Sequence, residues 1–351
     1  MRIAFLSPLS RRLSHTAFLD PGLGGNETTY VLWAEEMARR GHEVDLHSLD
    51  PHRETHAGVR YRHLDDFDSN AGSYDMLIAC RAPSVLRGGR RAPVQVLVLG
   101  DRHIEQAEAV TTQNCDFVWY NSWTQYETLA ARFPSDIPFV IGSCGVEDAL
   151  LTRPVAKAPL NFLHSSAPYR GLARMLRLWP AIRARHPDAV LHITGGYRLW
   201  GYDETQSRGF LENDVRAEDL DAPGIVYHGA VPREAYLELL SRCSYFVYPT
   251  AYEEMCCIAA LEASALGVVP VVSGIAALRE RVTHGVDGLL LAEGADDRDI
   301  VDTLFFASKS VELTNYLSRN ARRTATAFST SSMVGKLLDA VSDTRERQHA
   351  Y

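Results

Sequence analysis

Short apolar runs alternate with helically spaced apolar positions along the whole chain. "RIAFLS" (2–7) is a short apolar run and reads as a buried strand. After a long connection, "NETTYVLWAEEMARRG" puts Tyr30, Val31, Ala34, Met37 and Ala38 on one helical face, and Gly41 ends it. "HEVDLHSL" is the next strand. This strand–loop–helix–strand order builds a doubly wound parallel sheet. The alternation continues with strands at "YDMLIAC" (74–80), "VQVLVLG" (94–100) and "FVWYNS" (117–122), a helix at "SWTQYETLAARF", and "FVIGSCGV" (139–146) closing the run. "EDALLTRPVAKAPL" has two prolines and no period, so a domain boundary is expected there.

The second half repeats the pattern. Strands are expected at "LNFLHSS", "AVLHITGG", "GIVYHG", "SYFVYPT" and "VVPVVS", with helices at "PREAYLELLSRC" and "MCCIAALEASALG". "GLARMLRLWPAIRARHP" is a helix that Pro180 should kink or break. Two helical stretches close the chain. The expected architecture is α/β, with one domain over 1–152, a second over 153–330, and a terminal helix and tail at 331–351 that can pack back on the first domain. Two such sheets should face a cleft, with ligands beyond the carboxyl ends of the strands.

The 351 residues fit about two domains, and 46% hydrophobic with 23% charged residues is ordinary for a globular chain. The net charge of −8 argues against a nucleic-acid partner. Cys80, Cys115, Cys144, Cys243, Cys256 and Cys257 show no paired zinc spacing and no CxxC, so a reduced, cytoplasmic protein is expected. The N-terminus lacks the order and length of a signal peptide. No apolar run is long enough to span a bilayer, while peripheral membrane contact stays open. Oligomeric state is not legible.

Four stretches carry candidate chemistry. "GLGGNE" (22–27) precedes the first helix: Gly24 and Gly25 let phosphate approach a helix N-terminus, or the stretch is a flexible turn with an Asn N-cap. "HSSAPYRGL" (164–172) offers Arg170 to a diphosphate, or carries it as a surface arginine. "YHGAV" (227–231) turns through Gly229 and can pin a flat base, or is a plain turn. "YPTAYEEMCCIAALEASALGVVPVV" (248–272) sets Glu254 after a strand and Glu262 about two helical turns on, with Cys256, Cys257 and Ile258 at the helix start. Complementing the helix dipole explains Glu253 and Glu254. It does not explain Glu262, between Leu261 and Ala263 in an apolar helix.

The last stretch, followed by "ERVTHGVDGLLL", resembles the nucleotide-recognition segment of the "group 1" retaining glycosyltransferases: a Pro, a Glu, seven residues, a second Glu, then Gly and Pro-Val-Val. "GGNETTYVLWAEEMARRGHEV" resembles the same family's Gly-Gly-x-Glu helix. The resemblance implies a GT-B fold of two Rossmann-like domains, the first binding the acceptor and the second the nucleotide sugar. By it, Glu262 binds ribose hydroxyls and Glu254 holds the donor sugar. The amides of Cys256, Cys257 and Ile258 contact sugar and phosphate, and Gly24 and Gly25 face the diphosphate. His103 sits near the reacting sugar, and the base lies near Gly229 and Val231. The chain departs from the family in three places: serines and Arg170 replace an Arg and a Lys, Ile104 follows His103 in place of Asp, and Met255 and Cys256 replace a Gly and an aromatic.

The implied activity is retaining transfer of a hexose-type sugar from a nucleotide diphosphate, UDP-sugar favoured over GDP-sugar, to an acceptor that is a small molecule, glycan or lipid. No metal and no separate cofactor is expected. The Asp66-x-Asp68 pair in "LDDFDS" reads as a solvated loop. The loop after the first strand is long for such a connection, so Arg11, Arg12, His15 and Phe18 are candidate acceptor contacts. The alternatives are a sugar-nucleotide epimerase or hydrolase on the same fold, or a non-catalytic sugar-nucleotide-binding partner subunit.

Overall fold

The structure is a computed structural model that describes residues 1–67 and 74–349. Asp68 lies outside the described residues. The first stretch of chain runs β1 (Arg2–Ser7), α1 (His15–Leu19), α2 (Gly25–Arg39), β2 (Glu43–Ser48), β3 (Glu54–His56), β4 (Val59–His63), β5 (Met76–Cys80), β6 (Val94–Val98), β7 (Phe117–Tyr120), α3 (Trp123–Leu129) and β8 (Phe139–Ile141). The second runs β9 (Ala158–Ser165), α4 (Leu172–Arg185), β10 (Val190–Thr194), α5 (Glu204–Asp214), α6 (Ala217–Leu220), β11 (Ile225–Gly229), α7 (Arg233–Arg242), β12 (Cys243–Tyr248), α8 (Ile258–Ala265), β13 (Val269–Ser273), α9 (Leu278–Arg281), β14 (Leu289–Leu291), α10 (Asp297–Lys309) and α11 (Val311–Ala325). The last helix is α12 (Thr330–His349).

The chain divides into two units. One holds Met1–Phe18, the described residues of Leu23–Gly145, and the chain from Phe328; the other holds Leu19–Gly22 and Val146–Ala327. The division falls between Gly145 and Val146, where the sequence reading puts it at 152/153.

The first unit has an eight-stranded sheet in the order β3-β4-β2-β1-β5-β6-β7-β8. Its pairs are parallel except the β3–β4 hairpin. β5 and β6 are buried at every position, as a parallel sheet covered on both faces requires. The sequence reading passes over β3 and β4. They are short and carry polar and charged residues, and β3 forms the sheet edge, where charge keeps other strands from adding. α2 buries Tyr30, Val31, Trp33, Ala34 and Met37, and α12 adds Met333, Val334, Leu337 and Val341 to the same core. Arg40 Nη2 donates to Ser331 O at 2.7 Å, fastening the start of α12 beside α2.

The second unit has an all-parallel six-stranded sheet in the order β11-β10-β9-β12-β13-β14. α4 continues as one helix from Leu172 to Arg185 with Pro180 inside it, so of the expected kink or break the break does not occur. Pro180 is on the exposed face, where water can take the carbonyl its missing N–H leaves unpaired. The helix expected from Met255 begins only at Ile258, because Cys257 is its N-cap at φ 65. Among the described residues no helix is long and apolar enough to cross a membrane.

Chain order places the switch points. In the first sheet β1 lies between β2 and β5; in the second β9 lies between β10 and β12. Connections leave in opposite directions there and open a crevice at the strand ends.

Candidate functional site

In the second unit the switch point is bounded by the turn after β9, which carries Arg170, and the loop after β12, which carries Glu254. Two glycines let these segments close up. A Cβ on Gly171, at φ 103, would lie 3.1 Å from Pro249 O and from Thr250 Cα. One on Gly195, at φ 107, would lie 2.6 Å from Ser166 O. Only glycine gives both the backbone angle and the room.

Arg170 and Glu254 are brought into direct contact, Nη1 to Oε1 at 3.2 Å. Tyr248 OH donates to the same Oε1 at 2.6 Å and lies 3.1 Å from Ser166 Oγ. Both bonds fall on Oε1, so Oε2 is the oxygen left to a ligand hydroxyl. The Arg170 guanidinium also lies over Tyr252 at 4.1 Å, with Tyr169 and Trp200 at 5.3 and 5.7 Å. Burial opposes its charge, but Glu254 and the surrounding tyrosines outweigh this and hold its pKa above the ordinary value. Burial, then Glu254, raise the Tyr248 hydroxyl well above its usual range, so it serves as a donor. His164, from the same sequence stretch, is buried with Nδ1 3.0 Å from Val247 O, and burial lowers its pKa to about 4.

Glu262 lies in α8, 2% exposed. Arg233 Nη2, from the first turn of α7, approaches its Oε1 to 2.6 Å. That approach is an ion pair outside strict hydrogen-bond geometry, and the buried Tyr236 hydroxyl faces the same carboxylate. Arg233 instead bonds Glu147 Oε1 through Nε and Nη2, at 3.0 and 2.6 Å. One buried guanidinium thus faces two carboxylates, and the surplus negative charge suits hydroxyl donors. Burial opposes the Arg233 charge, and Glu262 and Glu147 raise its pKa regardless. Cys257, in the left-handed region, aims α8; the first-turn amides of a helix have no acceptor within it. Cys256 falls outside the helix. Gly229, at φ 64, ends β11 with its carbonyl accepting from Gly195 N at 2.9 Å. Val231 follows, half-buried.

The first unit has its own cluster at the strand ends. Arg81 follows β5 at φ 62 and donates through Nη1 to Glu27 Oε1 at 2.9 Å and through Nε to Asp101 Oδ2 at 2.7 Å. Ser10 Oγ adds a bond to Glu27 Oε1 at 2.7 Å, and Asn26 Nδ2 one to Asp101 Oδ1 at 3.1 Å. Burial works against the Arg81 charge, but the two carboxylates raise its pKa. The N-cap of α2 is Gly24, not Asn26, and Gly25 is its first residue. The cap has no side-chain bond, so the helix start keeps its amides for a ligand or water. His103 is exposed, two residues beyond Asp101.

Of the loop candidates, Arg11 is exposed and Arg12 half-buried. Phe18 is corrected: it is 6% exposed and belongs to the core, because α1 folds the loop onto the sheet. His15 turns toward Glu35, Nδ1 to Oε1 at 3.1 Å. Asp66 pairs with Arg53 at 2.7 Å. The sequence reading missed Arg81, Asp101, Arg233, Glu147 and Tyr248. Arg233 reads as an ordinary first-turn helix residue, and Arg81 as a residue after a strand. The one available signal was their position at or after strand ends.

Residues 154–324 match the family "Glycosyl transferases group 1". A search of curated proteins finds no match. Among solved structures, sucrose-phosphate synthase from Thermosynechococcus elongatus is similar with a TM-score of 0.73 at 17% identity, covering 100% of both chains. Anabaena HepE in complex with UDP-glucose gives 0.72 at 14%, covering 98% of this chain and 100% of that one. A glycosyltransferase from Rickettsia africae gives 0.72 at 13%, covering 98% of each. At these identities the structures speak to the fold, and the family match speaks to the second unit. The chain therefore carries, at residues 154–324, a domain of the glycosyl transferases group 1 family, within a two-unit α/β fold that matches GT-B glycosyltransferases over its whole length.

Proposed function

We propose that this protein is a retaining glycosyltransferase that moves a hexose from a UDP-sugar to an acceptor hydroxyl without a catalytic metal. The observation that carries this reading is the Arg170–Glu254–Tyr248 cluster at the switch point of the second sheet, with Glu262 following in α8. Glu262 accepts from the ribose hydroxyls, and Oε2 of Glu254 from the donor sugar. The amide of Ile258 at the N-terminus of α8, the amides of Cys257 and Cys256 just ahead of it, and the Arg170 guanidinium face the diphosphate. A bond forms from the acceptor oxygen to the anomeric carbon as the bond from that carbon to the diphosphate oxygen breaks. The acceptor proton passes to the leaving diphosphate, whose charge those donors stabilise. Gly24, Gly25 and His103 keep the roles the resemblance gives them, and Gly229 and Val231 the base. Anabaena HepE, described with UDP-glucose, supports the choice of uracil over guanine.

The test is thermal stabilisation by UDP, GDP, ADP and TDP, followed by transfer from the winning base's sugars. A ligand that binds only the folded state must raise the midpoint. UDP is expected to stabilise most, and Glu262→Ala to weaken it about 10- to 100-fold, the worth of hydrogen bonds to a charged group. Unchanged UDP affinity in that variant removes the ribose role. Retention is read from the anomeric configuration of the product.

One observation favours a second reading, a non-catalytic sugar-nucleotide-binding subunit: Arg170, offered to the diphosphate, is already paired with Glu254. UDP-sugar binding with no turnover on any acceptor, and no hydrolysis, would select it.

A further inference from the structure

We propose that His15, Glu35 and His56 form a binding site for one zinc ion in the first unit. The three residues come from α1, α2 and β3. His15 Nδ1 lies 3.1 Å from Glu35 Oε1. The imidazoles of His15 and His56 stack with centroids 3.3 Å apart and planes 14° apart. One ligand atom from each of the three residues falls within 4.8 Å of the others. Zinc bonds of about 2.0–2.1 Å in a tetrahedron set ligand atoms about 3.3 Å apart. The His15–Glu35 pair already meets that spacing. The widest pair must close by at most about 1.5 Å, and because imidazole lone pairs lie in the ring plane, exposed His56 must also turn out of its stack on His15 for both nitrogens to meet one ion.

The frame around the cluster is built independently of any ion. Glu54 accepts from Thr16 N at 2.9 Å through Oε1 and from Thr16 Oγ1 at 2.8 Å through Oε2. That fixes the start of α1 against β3. Glu54 and His56 are two apart on one strand, so their side chains share a face. The same bonds therefore hold the two imidazoles together. Tyr61 OH, from β4, donates to Glu35 Oε1 at 3.2 Å. A hydrogen bond of this kind orients a metal-binding carboxylate from behind. Both carboxylate oxygens of Glu54 are occupied by Thr16, so Glu54 is part of the frame, not of the ligand set.

The ligand types select the metal. Two imidazoles and one carboxylate suit zinc and its late first-row neighbours, whereas calcium and magnesium take oxygen ligands. Imidazole ligates through a ring nitrogen that carries no proton. With His56 exposed, a fourth position opens to solvent and takes water or an incoming ligand. A bound ion ties the long β1–α2 connection to the β3–β4 edge. The sequence shows no metal spacing because the residues are twenty or more positions apart.

The experiment uses the full chain stripped with EDTA, titrated with zinc chloride by calorimetry, with melting followed in parallel. The expected result is one zinc per chain and a raised melting midpoint, with affinity reduced at least about 30-fold in both His56→Ala and Glu35→Gln. His56 is exposed on an edge strand, so the metal-free melting of His56→Ala should match that of the parent. His284→Ala, an exposed histidine of the second unit, should leave the titration unchanged. Cobalt substitution should give a tetrahedral nitrogen–oxygen spectrum without thiolate charge transfer. No saturable binding, binding that both site variants leave unchanged, or a thiolate spectrum would each overturn the site. None of these readouts depends on transferase activity.

Discussion

Each unit sets carboxylates around an arginine at the switch point of a parallel sheet, and the two clusters differ in how completely the arginine is satisfied. Arg81 is claimed on both sides, by Glu27 and by Asp101, and those carboxylates are held in turn by Ser10 and Asn26. Arg170 has one carboxylate, Glu254, and rests on aromatic rings. A guanidinium fitted to carboxylates on both edges has little to offer a ligand. One that leans on rings and a single carboxylate can exchange part of that contact for a phosphate. The first arrangement reads as architecture and the second as a binding site.

The largest effect should come from the second cluster. Glu254→Ala removes the group placed at the donor sugar, and transfer should fall by about 10²–10³-fold, the scale for losing one preorganised transition-state contact. UDP affinity should stay within a few-fold, read by calorimetry. Full activity would erase the distinction between the clusters.

Arg81→Met should act on stability instead. It leaves half-buried Glu27 facing Asp101 without their shared cation, and the loss should be about 1–3 kcal/mol, below that of a fully buried pair because the Asp101 side chain is 45% exposed. Denaturant unfolding checks it. A variant as stable as the parent but inactive would make Arg81 a functional residue.

A third carboxylate of the first unit sharpens the point with pH. Burial alone would raise the pKa of Asp45, yet Arg60, Arg62 and Tyr74 outweigh it and hold the pKa at about 2, against an ordinary 3.8. Arg60 Nε donates to Oδ1 at 2.6 Å, and Tyr74 OH to Oδ2 at 2.9 Å. The unfolded chain takes up this proton first as pH falls. The contribution, about 2 kcal/mol, is thus full well above pH 3.8 and is lost as pH drops toward 2. Asp45→Asn should lower stability at neutral pH and flatten that part of the acid-unfolding curve.

The smallest effect is expected at Cys257, in the left-handed region at φ 65. Cys257→Gly removes the side-chain strain and should change stability by no more than about 1 kcal/mol, with donor binding kept. The thiol itself is held in its protonated form, its pKa raised by burial and by Glu254. A large loss of binding would mean the Cys257 side chain shapes the sugar pocket.

Much of the fold could be read from the chain because buried parallel strands are continuous apolar runs and covering helices keep their period. β5, β6 and β12 are buried throughout and stand out in the sequence. β3 and β4 did not, because polar edge strands look like loop. α5 did not either: no residue of it is buried, so no apolar period marks it. Phe18 looked like an exposed loop aromatic until α1 folded it into the core.

The sequence by itself determined the two-sheet α/β class, the order of the buried strands and the Glu254–Glu262 pair, since eight residues across a turn and a helix are a local matter. The tertiary structure alone decided which charges face each other. Arg170 with Glu254, Arg233 with Glu147 and Glu262, Arg81 with Glu27 and Asp101, and His15 with Glu35 and His56 are all joined across long separations. Strand order sets those pairings by bringing the ends of distant strands side by side, and local pattern carries no record of strand order.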